Sequence, residues 1–170
     1  MVAGRLVFEL FEKVCPKTSA NFRALCNGSK GFSKLDKKKP LHYRDCPLHR
    51  LVPDYVIQGG DILRGDGSSG DSIYSGKFND EKPGLKLKFN EFGRSGRGVL
   101  AMANSGSNSN TSQFFITLTD DSSRLAKLNG KYVVFGQLVE GWEVLDRLNQ
   151  VSVNGETPTI PVFIHDCGEI

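Results

Sequence analysis

His49-Arg50-Leu51-Val52-Pro53-Asp54-Tyr55-Val56-Ile57-Gln58-Gly59-Gly60-Asp61 holds two short apolar runs parted by a proline–aspartate pair. Proline pre-sets φ for the first corner of a turn, and aspartate bonds its own nearby backbone, so Pro53-Asp54 predicts a hairpin between Pro47–Val52 and Tyr55–Gln58. Strand alternation puts Leu48, Arg50 and Val52 on one face and His49 and Leu51 on the other. A permanently charged guanidinium is thereby placed on an accessible strand face while its neighbours turn to the core.

Outward from that hairpin the chain keeps the same character. Gly4 to Phe11 alternates with Leu6, Phe8 and Leu10 on one side, as a half-buried strand does. Cys15-Pro16 opens a helix, where the missing proline N–H costs nothing, and Asn27-Gly28 ends it. Residues 28–45 and 65–76 read as long polar, glycine-bearing loops. Gly84 to Asn90 alternates Leu and Lys like a strand with one wet face. Val99–Ala103, Gln113–Leu118, Tyr132–Leu138 and Thr159–Ile164 are further predicted strands, and Trp142–Leu148 carries the apolar spacing of a helix. Strands outnumber helices, so an all-β fold in one domain over 1–170 is expected; 170 residues with 38% hydrophobic content suit one core.

Composition excludes several functions. Lys and Arg number 22 against 19 for Asp and Glu, with only Lys37, Lys38 and Lys39 clustered, so nucleic-acid binding is not expected. The four cysteines form no C-x-x-C pair and no signal segment opens the chain, so a reducing, cytoplasmic setting is the default expectation. No apolar run suits a membrane helix. Gly65-x-Gly67-x-x-Gly70 lacks the strand and helix that a dinucleotide loop needs. Asp61, Asp66 and Asp71 lack calcium-loop spacing and read as solvated turn carboxylates. Cys46 and His49 lack partners for zinc. Neither a metal nor another cofactor is expected.

The quoted stretch resembles the cyclophilin segment F-H-R-hydrophobic-hydrophobic-P-x-F-M-x-Q-G-G-D. Met102-Ala103-Asn104 followed by Asn110-Thr111-Ser112-Gln113-Phe114-Phe115-Ile116 is similar to a second block of that family, and Asn129–Gly136 and Asp166-Cys167-Gly168 are similar to two more, in the family's order. The resemblance runs from about Gly4 to the end. It implies an eight-stranded antiparallel barrel capped by two α-helices, and a peptidyl-prolyl cis-trans isomerase that assists folding. The family's first strand would lie before Gly4, where few residues remain, so it is expected to be missing or truncated.

By the same resemblance, Arg50, Gln58 and Phe115 are the catalytic candidates. Tyr55, Val56, Gly67, Ala103, Asn104, Ser105, Gln113, Leu128 and Tyr132 are the substrate-binding ones. The expected partner is an X-Pro segment of a peptide or protein, bound by a monomer. Lys127 stands where the family usually has a Trp that touches cyclosporin, so weakened cyclosporin binding is expected. The long loop of 33–45 resembles that of divergent-loop members, which makes Cys26 and Cys167 a candidate redox pair beside the simpler reading of two buried thiols. The alternative function is a non-catalytic proline-peptide scaffold; Arg50, Gln58, Gln113 and Phe115 together favour the enzyme.

Overall fold

A computed structural model describes residues 1–170. The predicted hairpin forms: β2 (Arg50–Val52) pairs antiparallel with β3 (Val56–Gly59), Arg50 facing Gln58 and Val52 facing Val56. Asp54 closes the turn in the left-handed region at φ 58°, which aspartate tolerates better than most residues. Ahead of it lie β1 (Val7–Leu10) and α1 (Pro16–Asn27). Gly28 ends α1 at φ 67° and its N–H reaches back to the Ala24 carbonyl, the left-handed stop that glycine permits.

After β3 come α2 (Lys82–Lys86), a short 3-10 turn at Phe89–Glu91, β4 (Val99–Met102), β5 (Phe114–Thr117), α3 (Ser122–Ala126), β6 (Val134–Glu140), α4 (Trp142–Asn149), β7 (Val153–Asn154) and β8 (Thr157–Pro158). The six longer strands form one sheet in the order β1-β6-β4-β5-β3-β2, and β7 and β8 form a separate hairpin. Every pairing is antiparallel. The fold is mainly β, as expected.

Several expectations are corrected. No closed barrel is formed, because the end strands β1 and β2 do not bond to each other. Residues 1–6 carry no strand and β1 is a sheet edge. Four helices are present, of which α1 and α4 are the long ones. Gly84 to Asn90 is helix and 3-10 turn. Pro83 favours a helix start, and α2 packs so closely that a Cβ on Gly84 would sit 2.5 Å from the Cys15 sulfur. Thr159–Ile164 is not a continuous strand; it bonds alongside 45–48 through Leu48 N–H to Val162 O and Asp45 N–H to Ile164 O.

Two apolar clusters fill the structure. The larger joins Phe22, Leu25, Tyr43, Leu51, Ile57, Leu100, Phe114, Ile116, Phe135 and Leu145 under α1 and α4. The smaller lies on the opposite face of the sheet: Val56, Phe89, Val99, Ala101, Ala103, Phe115, Leu125, Leu128 and Val134. Leu48 belongs to the larger cluster, against its predicted placement beside Arg50, because the strand begins only at Arg50 and alternation does not reach back to it. No helix is long and apolar enough to cross a membrane.

Candidate active site

Antiparallel register lines up one row of side chains across four strands. Arg50 on β2 faces Gln58 on β3, Gln58 faces Phe115 on β5, and Phe115 faces Ala101 on β4. Directly opposed residues project to the same side of a sheet, so the cation, an amide, an aromatic ring and a small residue follow one another across one face. Phe114 and Ile116 point the other way, into the larger cluster.

A directed chain of hydrogen bonds fixes the polar end of the row. Arg50 donates from Nη1 to Gln58 Oε1 at 3.2 Å, and Gln58 Nε2 donates to Gln113 Oε1 at 3.0 Å. Gln113 Nε2 then donates to the carbonyls of Gly67 and Ser69 at 2.9 and 2.6 Å. Each amide can accept from one side only by donating on the other, so the loop carbonyls dictate which face Gln58 shows to Arg50.

That loop is held from beneath by Asp61, which is 1% exposed and accepts from the N–H groups of Leu63, Arg64, Asp66, Gly67 and Ser69 and from Ser69 Oγ. Burial alone would push this carboxyl up, but the Ser69 hydroxyl and the ring of backbone donors overcome it and hold it well below the usual carboxylate range. Asp61 is therefore a buried anion and not the solvated turn residue the sequence suggests; Asp71, also 1% exposed, is likewise buried and not a solvated turn residue. Only a glycine fits at 67: its φ is +91°, and a Cβ would lie 2.6 Å from His49 Nε2. Burial lowers the His49 pKa, with Asp61 and Asp66 opposing it.

Arg50 has a further partner that the sequence did not reveal. Its Nε donates to Glu156 Oε2 at 2.5 Å. Glu156 sits in the tight turn between β7 and β8, and its carbonyl accepts the Leu51 N–H at 2.8 Å, which fastens that hairpin along β2. Asn154-Gly155 is a hairpin signal that could have been read. Nothing in the one-dimensional pattern says that the hairpin lands on Arg50.

The apolar end is a bed around Phe115, itself 4% exposed. Its ring stacks on Phe89 at 5.9 Å and meets the edge of Tyr132 at 5.1 Å. Val56, Ala103 and Leu128 belong to the same cluster, and Tyr55 packs against it beneath the Arg124 guanidinium, 4.4 Å from the ring centre. Asn104 lies on the rim: its Nδ2 donates to Lys131 O at 2.8 Å, while no backbone group bonds its own N–H or C=O. Ser105 is exposed, with its N–H given to Ser109 Oγ. The structure thus gathers Arg50, Gln58, Gln113, Gly67, Phe115, Val56, Ala103, Leu128, Tyr55 and Tyr132 around one row, with Asn104 and Ser105 at its edge. Phe89, Ala101, Arg124, Asp61 and Glu156 are additions from the tertiary structure.

Such a row offers hydrogen bonds from a fixed cation beside an apolar bed. The family model for cyclophilin type peptidyl-prolyl cis-trans isomerases matches residues 1–169. The chain belongs to the cyclophilin family. Lys127 is exposed at the end of α3. Tyr132 sets an aromatic wall against Phe115.

Cys26 and Cys167 lie outside the row, as half-buried free thiols. Burial, with the charge of Cys167 adding, pushes Cys26 up to about 12. Burial, with Asp166 adding, pushes Cys167 up to about 11.

Proposed function

We propose that this cyclophilin accelerates cis-trans rotation of X-Pro bonds in polypeptides and so assists protein folding. The observation that carries the reading is the Arg50–Gln58–Phe115 row, in which the guanidinium is steered by an amide toward an apolar bed.

Rotation about a peptide C–N bond meets a barrier of ~18–20 kcal/mol, because conjugation is lost as the amide twists. The twisted nitrogen regains a lone pair, and a donor aimed at it binds that state better than either planar form. Arg50 supplies the donor. With Nε on Glu156 and Nη1 on Gln58 it is turned in a defined direction. The proline ring sits against Phe115, with Val56, Leu128, Tyr55 and Tyr132 around it, and the free backbone groups of Asn104 pair with the residues before proline. Uncatalysed exchange takes ~10–100 s. A gain of about four decades needs ~5.5 kcal/mol, which charge-assisted hydrogen bonds of ~1.5–3 kcal/mol each can largely supply. No nucleophile or cofactor enters.

Exchange NMR on an Ala-Pro peptide tests this. The parent should accelerate exchange, and Arg50→Ala should lose about a hundredfold in rate while still binding the peptide. Equal rates for the two proteins would overturn the role of Arg50. Binding by the parent without acceleration would favour the scaffold reading. To the same proposal belong a monomeric state, a reducing cytoplasmic setting, cyclosporin binding weakened at Lys127, and a Cys26–Cys167 bond that forms only under oxidation.

A further inference from the structure

The loops 33–41 and 61–69 face each other across a cleft of about 550 Å³ lined by Leu35, Asp36, Lys37, Lys38, Leu63, Arg64 and Ser69. Three of these are cations and one is an anion. Lys37, Lys38 and Arg64 are exposed, and none of them makes an ion pair.

The carboxylates close by all accept hydrogen bonds from the two loops, and none pairs with Lys37, Lys38 or Arg64. Asp61 is buried beneath its own loop under five N–H donors and the Ser69 hydroxyl. Asp71 takes the Ser33 hydroxyl at 2.5 Å and is 1% exposed. Asp66 Oδ1 is taken by the Ser68 N–H and hydroxyl, and Asp36 Oδ1 by the Lys38 N–H at 3.0 Å. The walls are ordered as well. Ser33 Oγ accepts from Leu35 and Asp36, Ser33 N–H reaches Lys39 O at 2.8 Å, and Lys39 N–H reaches Asp36 O at 2.9 Å. Little loop entropy remains to be lost when something binds, and a net positive cleft between ordered walls is suited to an anion.

We propose that this cleft is a docking site for an acidic polypeptide segment that also carries an aliphatic side chain. Charge complementarity selects the acid. Leu35, 62% exposed, and Leu63 offer an aliphatic contact next to the cations. The lining holds no aromatic ring on which a base could stack, which disfavours a nucleic acid. Ser69 ties the cleft to the row described above, because its carbonyl accepts Gln113 Nε2 on the other side of the loop. A client can therefore place a proline on Phe115 and an acidic stretch of the same chain in the cleft, a two-point attachment that raises affinity through effective concentration. The two-point part rests on the proline-groove reading; the acidic site itself does not.

The test uses a short labelled peptide rich in Glu and Leu and lacking proline, followed by fluorescence anisotropy at low and raised salt. The parent should bind it, and the triple variant Lys37→Ala, Lys38→Ala, Arg64→Ala should bind about tenfold more weakly, the product of exposed ion pairs worth about twofold each. Neutralising Lys13, Lys86 and Lys88 should change little. A second probe with the same arm joined to an Ala-Pro segment should bind the parent more tightly than either part alone. No binding by the parent, equal loss in both triple variants, or tighter binding of a single-stranded oligonucleotide or anionic vesicle through the same three residues would each overturn the proposal. If the parent proves inactive on prolyl peptides yet binds the proline-free probe, the proline reading fails and the acidic site stands.

Discussion

The Nε of Arg50 donates to the carboxylate of Glu156, a residue more than a hundred positions away that reaches it only because the β7–β8 hairpin lies along β2. With Nε on Glu156 and Nη1 on Gln58, Nη2 is the guanidinium nitrogen left without a partner. The Arg50 and Glu156 side chains are partly exposed, at 38% and 55%, so the bond serves orientation more than stability. Glu156→Ala should lower kcat/KM about two- to fivefold, and the charge reversal Glu156→Lys about tenfold, as read by exchange NMR. A reversal that leaves the rate at the parental level would show that Glu156 does not position Arg50.

Gln113 reads the loop carbonyls and passes their direction to Gln58. Gln113→Ala should cost about tenfold in kcat/KM, the loss of hydrogen bonds worth ~0.5–1.5 kcal/mol each. Gln113→Glu should cost at least as much, since a carboxylate cannot donate to the Gly67 and Ser69 carbonyls. A fully active Gln113→Glu variant would refute the directed chain of bonds.

Asp61 makes the site sensitive to acid. Its folded pKa is depressed below the unfolded value of ~3.9, so the stability it contributes is complete above about pH 4 and is lost as pH falls through the folded value. Asp61→Asn should lower stability at neutral pH by about 2–3 kcal/mol and flatten the acid limb of the curve. Denaturant melts across pH check this, and a variant as stable as the parent at pH 7 would contradict it.

The exposed Lys127 bears on cyclosporin. Calorimetry should find weak binding to the parent, and Lys127→Trp should tighten it about tenfold or more, since an indole adds large apolar area and one N–H donor. Tight binding by the parent would count against the reading.

All four thiols should be slow to react. Burial is the first cause in each case, pushing Cys15, Cys26 and Cys46 up to about 12 and Cys167 to about 11. Because the thiolate is the nucleophile, alkylation by iodoacetamide at pH 7 should run more than about a hundredfold slower than for a free thiol. Closure of the proposed Cys26–Cys167 bond, followed by mass spectrometry, should need alkaline pH. Rapid closure at pH 7 would show that these thiols are not held protonated.

Much of the architecture was legible from period and punctuation. The β2–β3 hairpin and α1 with its glycine stop are encoded by contacts between residues close in the chain, where alternation and turn chemistry act, and the strands around Val99, Phe114 and Val134 by short apolar runs between turn signals. The Leu/Lys alternation of Gly84–Asn90 misled because Leu85, Leu87 and Phe89 pack against the folded body without a strand beside them, and a period of two has meaning only where a ladder exists. Residues 159–164 failed as a strand for a related reason: their bonds go to 45–48 only at separated points.

The amino-acid sequence by itself determined that Arg50, Gln58, Gln113 and Phe115 belong together, because they sit in motifs whose order and spacing specify a family and because alternation sorts Phe115 from Phe114. Only the tertiary structure decided that Asp61 is a buried anion under a ring of N–H groups, that Glu156 holds Arg50, and that Lys37, Lys38 and Arg64 converge on one cleft. Those relations join segments far apart in the chain, and burial, hydrogen-bond direction and unpaired charge are properties of space that no local pattern carries.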